Sequence, residues 1–167
     1  MIESQLIILQ QAQTYLASVT EQQYTEIIQP HFMSSAGAHM RHILDHYYAI
    51  INGLEKGLID YDKRSRGGSI EKSPQAAQQA IIEIITFLSS LSTQQLHQTV
   101  KLSTEISVQD KIVAIVDTTL AREIIFAGSH TVHHLATIKH IAQLQKVEVE
   151  GSLGIAPATA TFLRLSK

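Results

Sequence analysis

The chain has 167 residues, of which 44% are hydrophobic and 17% charged, so it is long enough to bury the core of a single domain spanning residues 1–167. Its formal net charge of −2 supplies no electrostatic reason to bind nucleic acid. It has no cysteine, which excludes disulfides, thiolate nucleophiles and zinc–thiolate sites. Because we find no signal peptide and no run of roughly 18 apolar residues, we expect a cytoplasmic protein that does not bind membranes.

The first half of the chain predicts two helices and a loop. Residues 3–17 carry apolar side chains on one helical stripe, and residues 18–30 suggest a helical turn followed by a loop. Ser34 and Ser35 are N-cap candidates for a second helix that continues to about Leu54. The polar, glycine-containing residues 58–74 indicate a long ordered loop.

The second half predicts two further helices with a hairpin between them. Ser73 and Pro74 begin a third helix, and β-branched residues in 100–107 and 111–117 favour a small β-hairpin. Thr118 or Thr119 caps a fourth helix, and the tail, residues 148–167, contains Gly and Pro and is expected to be irregular. The predicted fold class is all-α: a four-helix bundle with a small β-hairpin insertion before the last helix.

Nine histidines are present, and seven of them cluster on the second and fourth predicted helices. His39, His42 and His46 share one face of the second helix, while His130 and His134 lie one turn apart on the fourth. A single histidine on an apolar helix face is usually a packed, hydrogen-bonded residue, but two clusters on facing helices favour a metal site. We therefore predict that His42, His130 and His134 bind one metal ion.

Three neutral nitrogen ligands restrict the metal and its chemistry. They suit Zn or Ni first, with Mn, Fe or Co also compatible. Three protein ligands leave coordination positions open to water or substrate, which is typical of a catalytic site. Such an ion lowers the pKa of a bound water or thiol and so creates a nucleophile.

Other polar residues near these histidines have two readings each. His46 and Asp45 are the catalytic candidates, as a proton shuttle or as a group that orients a ligand histidine. Asp45 is equally well explained by a salt bridge to Arg41. Glu123 lies on the same helix face as His130, but a first-turn glutamate is also favoured by the helix dipole.

The order of these motifs resembles the DinB/YfiT-like family of metal-dependent enzymes. The similarity rests on Ser35-Ala36-Gly37, the run Arg41–His46, the loop Asp60–Arg66 and the run Ser129–His134. The resemblance implies an up-down-down-up four-helix bundle, often a homodimer, with a divalent metal held by one histidine of the second helix and two of the fourth. By position these correspond to His42, His130 and His134. Some relatives use a low-molecular-weight thiol, so a thiol cofactor is a further expectation.

Three functions remain compatible with these observations. The first is a metal-dependent transferase or hydrolase that activates a thiol or water against a small-molecule substrate. The second is a non-catalytic metal-binding or stress-induced protein. The third is a structural helical bundle in which the histidines are packed without metal.

Overall fold

The computed structural model describes residues 1–166, which form eight helices and a three-stranded sheet. The chain is mostly helical. In chain order the elements are α1 (Ile2–Ser18), α2 (Glu21–Thr25), α3 (Ala36–Leu54), β1 (Leu58–Asp60), α4 (Ser69–Lys72), α5 (Pro74–Ser90), α6 (Thr93–Leu96), β2 (Thr99–Glu105), β3 (Val113–Thr119), α7 (Leu120–Leu144) and α8 (Pro157–Leu165).

Three of the four long helices begin at N-caps that the sequence predicted. The side chains of Ser35, Ser73 and Thr119 accept hydrogen bonds from main-chain N–H groups in the first turns of α3, α5 and α7. Each bond satisfies one of the donors that a helix N-terminus leaves unpaired. Pro74 occupies the start of α5, where its missing N–H costs nothing.

The four long helices surround one aliphatic core. Helix α1 contacts α5 and α7, and α3 contacts the same two helices. The largest fully buried side chains are Tyr15, Tyr24, Tyr47, Leu9, Met40, Ile43, Leu44, Ile50, Ile59, Ile81, Ile84 and Leu88.

Among residues 1–166, no helix has the length and apolar character that crossing a membrane requires.

The predicted hairpin is confirmed and is part of a larger sheet. Strands β2 and β3 pair antiparallel, with Ser103 opposite Ile115, and β1 pairs with β2 in parallel. The loop predicted over residues 58–74 is therefore wrong in two places, because it contains both β1 and α4. A three-residue strand is too short to show a periodic pattern in the sequence, and it is identified by its pairing with β2 and by the burial of Ile59 in the core.

The irregular tail predicted over residues 148–167 is also wrong in part, because Pro157–Leu165 forms α8. Phe162, Leu163 and Leu165 are exposed on this helix. The helix therefore has no buried apolar stripe of the kind from which a helix is predicted. Lys167, the last residue of that predicted segment, lies outside the described residues.

Two glycines of α3 allow the segment after it to pack closely against it. A Cβ at Gly37 would collide with the main-chain carbonyl of Glu71 in α4. A Cβ at Gly53 would lie 2.7 Å from the carbonyl oxygen of Leu58 and 2.8 Å from the Cα of Ile59. Both glycines therefore hold the chain between α3 and α5 beside α3, and this chain carries one wall of the site.

Candidate metal centre

The packing of α3 against α7 brings the two histidine clusters together. His42 and His46 project from α3 and meet His130 and His134 from α7. His46 is buried, and the other three are partly exposed. The centre thus lies at the rim of the core.

Two imidazole nitrogens lie close to the Nε2 of His130. His130 Nε2 lies 3.1 Å from His42 Nε2 and 3.1 Å from His134 Nε2. An imidazole nitrogen offers either one proton or one lone pair, so His130 Nε2 cannot form two ordinary hydrogen bonds at once. Two nitrogens bound to one ion at about 2.05 Å and a tetrahedral angle lie roughly 3.3 Å apart, close to both observed separations. The donor set therefore fits a metal ion.

His46 presents a fourth nitrogen to the same centre. Its Nδ1 lies 2.9 Å from the main-chain oxygen of His42. Because that oxygen only accepts, Nδ1 carries the proton and Nε2 keeps its lone pair. One nitrogen from each of His42, His46 and His130 lies within 4.8 Å of the others, a spacing that suits a shared metal ion. The spacing of His42 and His46, the same as that of His130 and His134, was the sequence signal for this second ligand pair.

A chain of side chains leads from His134 to the protein surface. The Nδ1 of His134 lies 3.0 Å from the Nδ1 of His39, whose Nε2 lies 3.0 Å from the hydroxyl of Ser34. When His134 uses Nε2 as a ligand, its Nδ1 carries a proton that it donates to His39. His39 thereby orients the His134 ring, a role that the sequence left undecided.

The surroundings keep these histidines neutral. Burial, together with the charges of neighbouring histidines, lowers the pKa of His42 and of His134 to about 3. Burial, His46, His133 and Arg64 lower the pKa of His130 to about 4. Neutral imidazole is the form that binds a metal, so the site is ready to bind an ion at neutral pH.

Aromatic and charged side chains form the wall beside His46. The ring of Tyr61 stacks on the imidazole of His46 at 4.8 Å, and Phe126 stacks on His130 at 5.9 Å. The Tyr61 hydroxyl donates to Glu123 Oε2 at 2.7 Å. Burial raises the pKa of Tyr61, and its bond to Glu123 raises it further. The sequence indicated a packing role for Tyr61 and gave no signal for Phe126, because each comes to the site only through tertiary packing.

Glu123 is fully buried and accepts three hydrogen bonds. Besides Tyr61, the Thr118 hydroxyl donates at 2.7 Å and Arg122 at 2.8 Å, both to Oε1. The carboxylate thus joins the start of α7 to the chain after β1. Its contacts are with these donors rather than with the histidines, so it supports the wall of the site.

The Asp45 side chain on α3 is only 10% exposed. Its carboxylate pairs with Arg41 at 2.7 Å, and Arg41 also contacts Glu71 at 3.3 Å. Asp45 raises the pKa of His46, whereas burial, the larger effect, lowers it. Asp45 and Arg64 also line a cleft of about 500 Å³ beside α3. The structure therefore places His46 in the centre and Asp45 next to it. The negative charge of Asp45 favours the protonated form of His46.

Comparison with known proteins identifies the family. A profile of the DinB superfamily matches residues 8–138. The chain belongs to the DinB superfamily. This DinB-superfamily chain is similar in fold to a DinB-like protein from Bacillus subtilis, with a TM-score of 0.67 and 14% identity, covering 91% of this chain and 96% of the other. A DinB-like protein from Bacillus cereus gives a TM-score of 0.62 at 14% identity, covering 89% and 93%.

One relative is similar to part of the sequence. Over 107 residues the chain is 29% identical to a Rhizopus delemar protein named FK506-binding protein 5. The match covers 64% of this chain and 28% of that protein, so the chain corresponds to only a part of its relative.

Proposed function

We propose that this DinB-superfamily protein is a metal-dependent transferase or hydrolase whose divalent ion is held by His42, His130 and His134. The supporting observation is that His130 Nε2 has two nitrogen neighbours at 3.1 Å that it cannot both satisfy by hydrogen bonding. A bound Zn or Ni ion, or Mn, Fe or Co, would supply a Lewis acid that makes water or a thiol nucleophilic at neutral pH.

In this proposal His46 is the proton acceptor. Its Nδ1 proton is held by the His42 carbonyl, so its Nε2 lone pair is free to take a proton from a nucleophile bound in the centre. Asp45 favours the protonated imidazole that results, because its charge raises the pKa of His46. Tyr61 and Phe126 cover the histidine rings and restrict water on that side. The substrate is a small molecule, and a low-molecular-weight thiol is the alternative nucleophile to water.

The fourth nitrogen favours a second candidate, a non-catalytic metal-binding protein. If His46 Nε2 binds the ion together with the other three histidines, the coordination shell is closed, which is typical of structural rather than catalytic sites. The two functions therefore differ in what His46 does.

Metal content tests the ligand assignment. We would purify the protein without a histidine tag, then measure bound metal by elemental analysis in the wild type, in His42→Ala and in the His130→Ala/His134→Ala double variant. We expect about one equivalent of a transition metal in the wild type and its loss in both variants. His97→Ala, which removes an exposed histidine, is the matched control and should keep the metal. Full metal content in the double variant would show that the assignment is wrong.

The two functions are separated by loading the protein with Co²⁺ and following its absorption spectrum. In an enzyme with an open position, a small thiol should change the spectrum, and His46→Ala should keep one equivalent of metal. In a closed four-histidine site, the thiol should leave the spectrum unchanged and His46→Ala should weaken metal binding.

We also propose that the four long helices form a single up-down-down-up bundle domain over residues 1–167. The contacts of α1 and α3 with both α5 and α7 agree with this order. The long connection between α3 and α5, which includes β1 and α4, is what two parallel neighbouring helices require. From the resemblance to the family, we also propose that the protein forms a homodimer.

A further inference from the structure

Strand β3 has one free edge. It is the last strand in the order β1-β2-β3. The main-chain bonds from Ile106 N to Ile112 O and from Leu120 N to Gln98 O have the register of the β2–β3 ladder, and both join even-numbered residues. Since successive residues alternate, the N–H and C=O groups of the odd-numbered residues of β3 point away from β2.

The free edge is apolar as well as unpaired. In the described residues 1–166, the outward main-chain groups of Val113, Ile115 and Asp117 have no main-chain partner. Val113 is 46%, Ile115 60% and Val116 49% exposed, and Ile112 beside them is 50% exposed. The strand carries no proline or lysine, which commonly protect such edges from pairing with another strand. The one charged residue of β3, Asp117, is paired with Lys101 of β2 at 2.9 Å.

We propose that β3 pairs antiparallel with β3 of a second copy of this chain, about a two-fold axis at Ala114. The two three-stranded sheets would then join into one six-stranded sheet. This inference rests on the homodimer of the proposed function and deepens it, because it assigns the surface, away from the histidines, through which the two copies meet. It also closes the free edge on both copies at once, as a two-fold interface requires.

The side chains of this register complement one another. On the outer face, Val113 of one copy lies opposite Ile115 of the other, and Lys111 lies opposite Asp117. On the opposite face, Ile112 is paired with Val116. Each of these pairs occurs twice, so apolar groups meet apolar groups and both lysines meet carboxylates.

The neighbouring register is less favourable. An axis at Ile115 keeps the main-chain groups in phase, but it places Val113 opposite Asp117 and Lys111 opposite Thr119. The Asp117 carboxylate, which already pairs with Lys101 of β2 at 2.9 Å, would then lose water against an aliphatic side chain without gaining Lys111 as a second cation. The axis at Ala114 also places the smallest side chain of the strand where the two copies approach most closely.

A single introduced cysteine tests both the interface and its register. The chain contains no cysteine, so Ala114→Cys carries one thiol only. At the axis the two Cα atoms form a non-hydrogen-bonded pair about 4.5 Å apart, a separation that a disulfide spans. Val108→Cys is the control: Val108 is fully exposed in the hairpin turn, and the two copies of it would lie more than about 20 Å apart.

We expect Ala114→Cys to form a covalent dimer under mild oxidation at least about tenfold faster than Val108→Cys. Sedimentation of the wild type should show a dimer that dissociates on dilution. Ile115→Lys should weaken it about tenfold, because each copy loses the apolar cross-strand pair with Val113 of the other and the two introduced charges lie diagonally across the axis. Ile7→Lys changes an equally exposed aliphatic residue of α1 and should leave the dimer intact.

Three results would overturn the proposal. They are a wild type that stays monomeric at about 100 µM, a dimer unaffected by Ile115→Lys, and equal cross-linking of the two cysteine variants. Metal content is measured on the same samples. If the monomeric Ile115→Lys variant keeps its metal, loss of the β3 interface does not affect metal binding at the histidine centre.

Discussion

Replacing Tyr61 with Phe removes one hydroxyl group from the most deeply buried acidic contact of the site. The hydroxyl donates at 2.7 Å to Glu123, which is 0% exposed, so water cannot easily replace the lost donor. A hydrogen bond to a charged group contributes about 1.5 to 3 kcal/mol. For 167 residues the unfolding entropy is about 0.35 kcal/mol/K, so the loss corresponds to a fall in Tm of about 4 to 9 °C.

The assay is thermal unfolding of the metal-free protein, followed by circular dichroism. Tyr48→Phe is the matched control: its hydroxyl donates at 2.9 Å to the exposed Glu83, where water replaces it, so we expect a loss below about 1 kcal/mol. The ring that stacks on His46 remains in Tyr61→Phe, so its metal content should equal that of the wild type. If Tyr61→Phe and Tyr48→Phe lower Tm equally, the reasoning about the buried carboxylate is wrong.

Three further predictions use the same protein. His39→Ala should keep metal stoichiometry but weaken affinity by about 10- to 100-fold, measured by competition with a chelating dye, and an unchanged affinity would exclude an orienting role. Gly37→Ala should cost about 1 to 3 kcal/mol in urea unfolding, because its Cβ meets the Glu71 carbonyl, whereas Gly151→Ala, at an open position, should cost little. Metal-free protein should lose stability as pH falls below about 6.5. Below that pH the histidines of the unfolded chain bind protons, whereas the folded site histidines, with pKa near 3 to 4, stay neutral. A Tm that stays constant between pH 7 and about 5 would contradict those lowered pKa values.

Much of the candidate site could be read from spacing alone. The intervals between His42 and His46 and between His130 and His134 place side chains on one face of a helix whatever the rest of the chain does. The convergence of the two faces was an inference from helix packing, and the structure brings these histidines together. It also adds His46 as a fourth nitrogen and His39 as the partner of His134.

Other parts of the site were out of reach of sequence reasoning. Tyr61 is 62 residues from Glu123 in the chain, and neither position has a periodic pattern that predicts the contact. Tyr61 reaches the centre because β1 pairs with β2 and because Gly53 lets β1 approach α3. Such contacts depend on loop closure over long separations, which local propensity does not encode.

The sequence by itself determined the helices that carry the histidines, their N-caps and the hairpin, since each depends on interactions within a few residues. The tertiary structure alone decided which strand lies beside β2, which side of the sheet stays open and which nitrogen of each histidine faces the centre. Those features arise from the packing of α3 against α7 and from the main-chain phase of the sheet. Both are set by contacts between residues far apart in the chain, where hydrogen bonding and burial must be satisfied together.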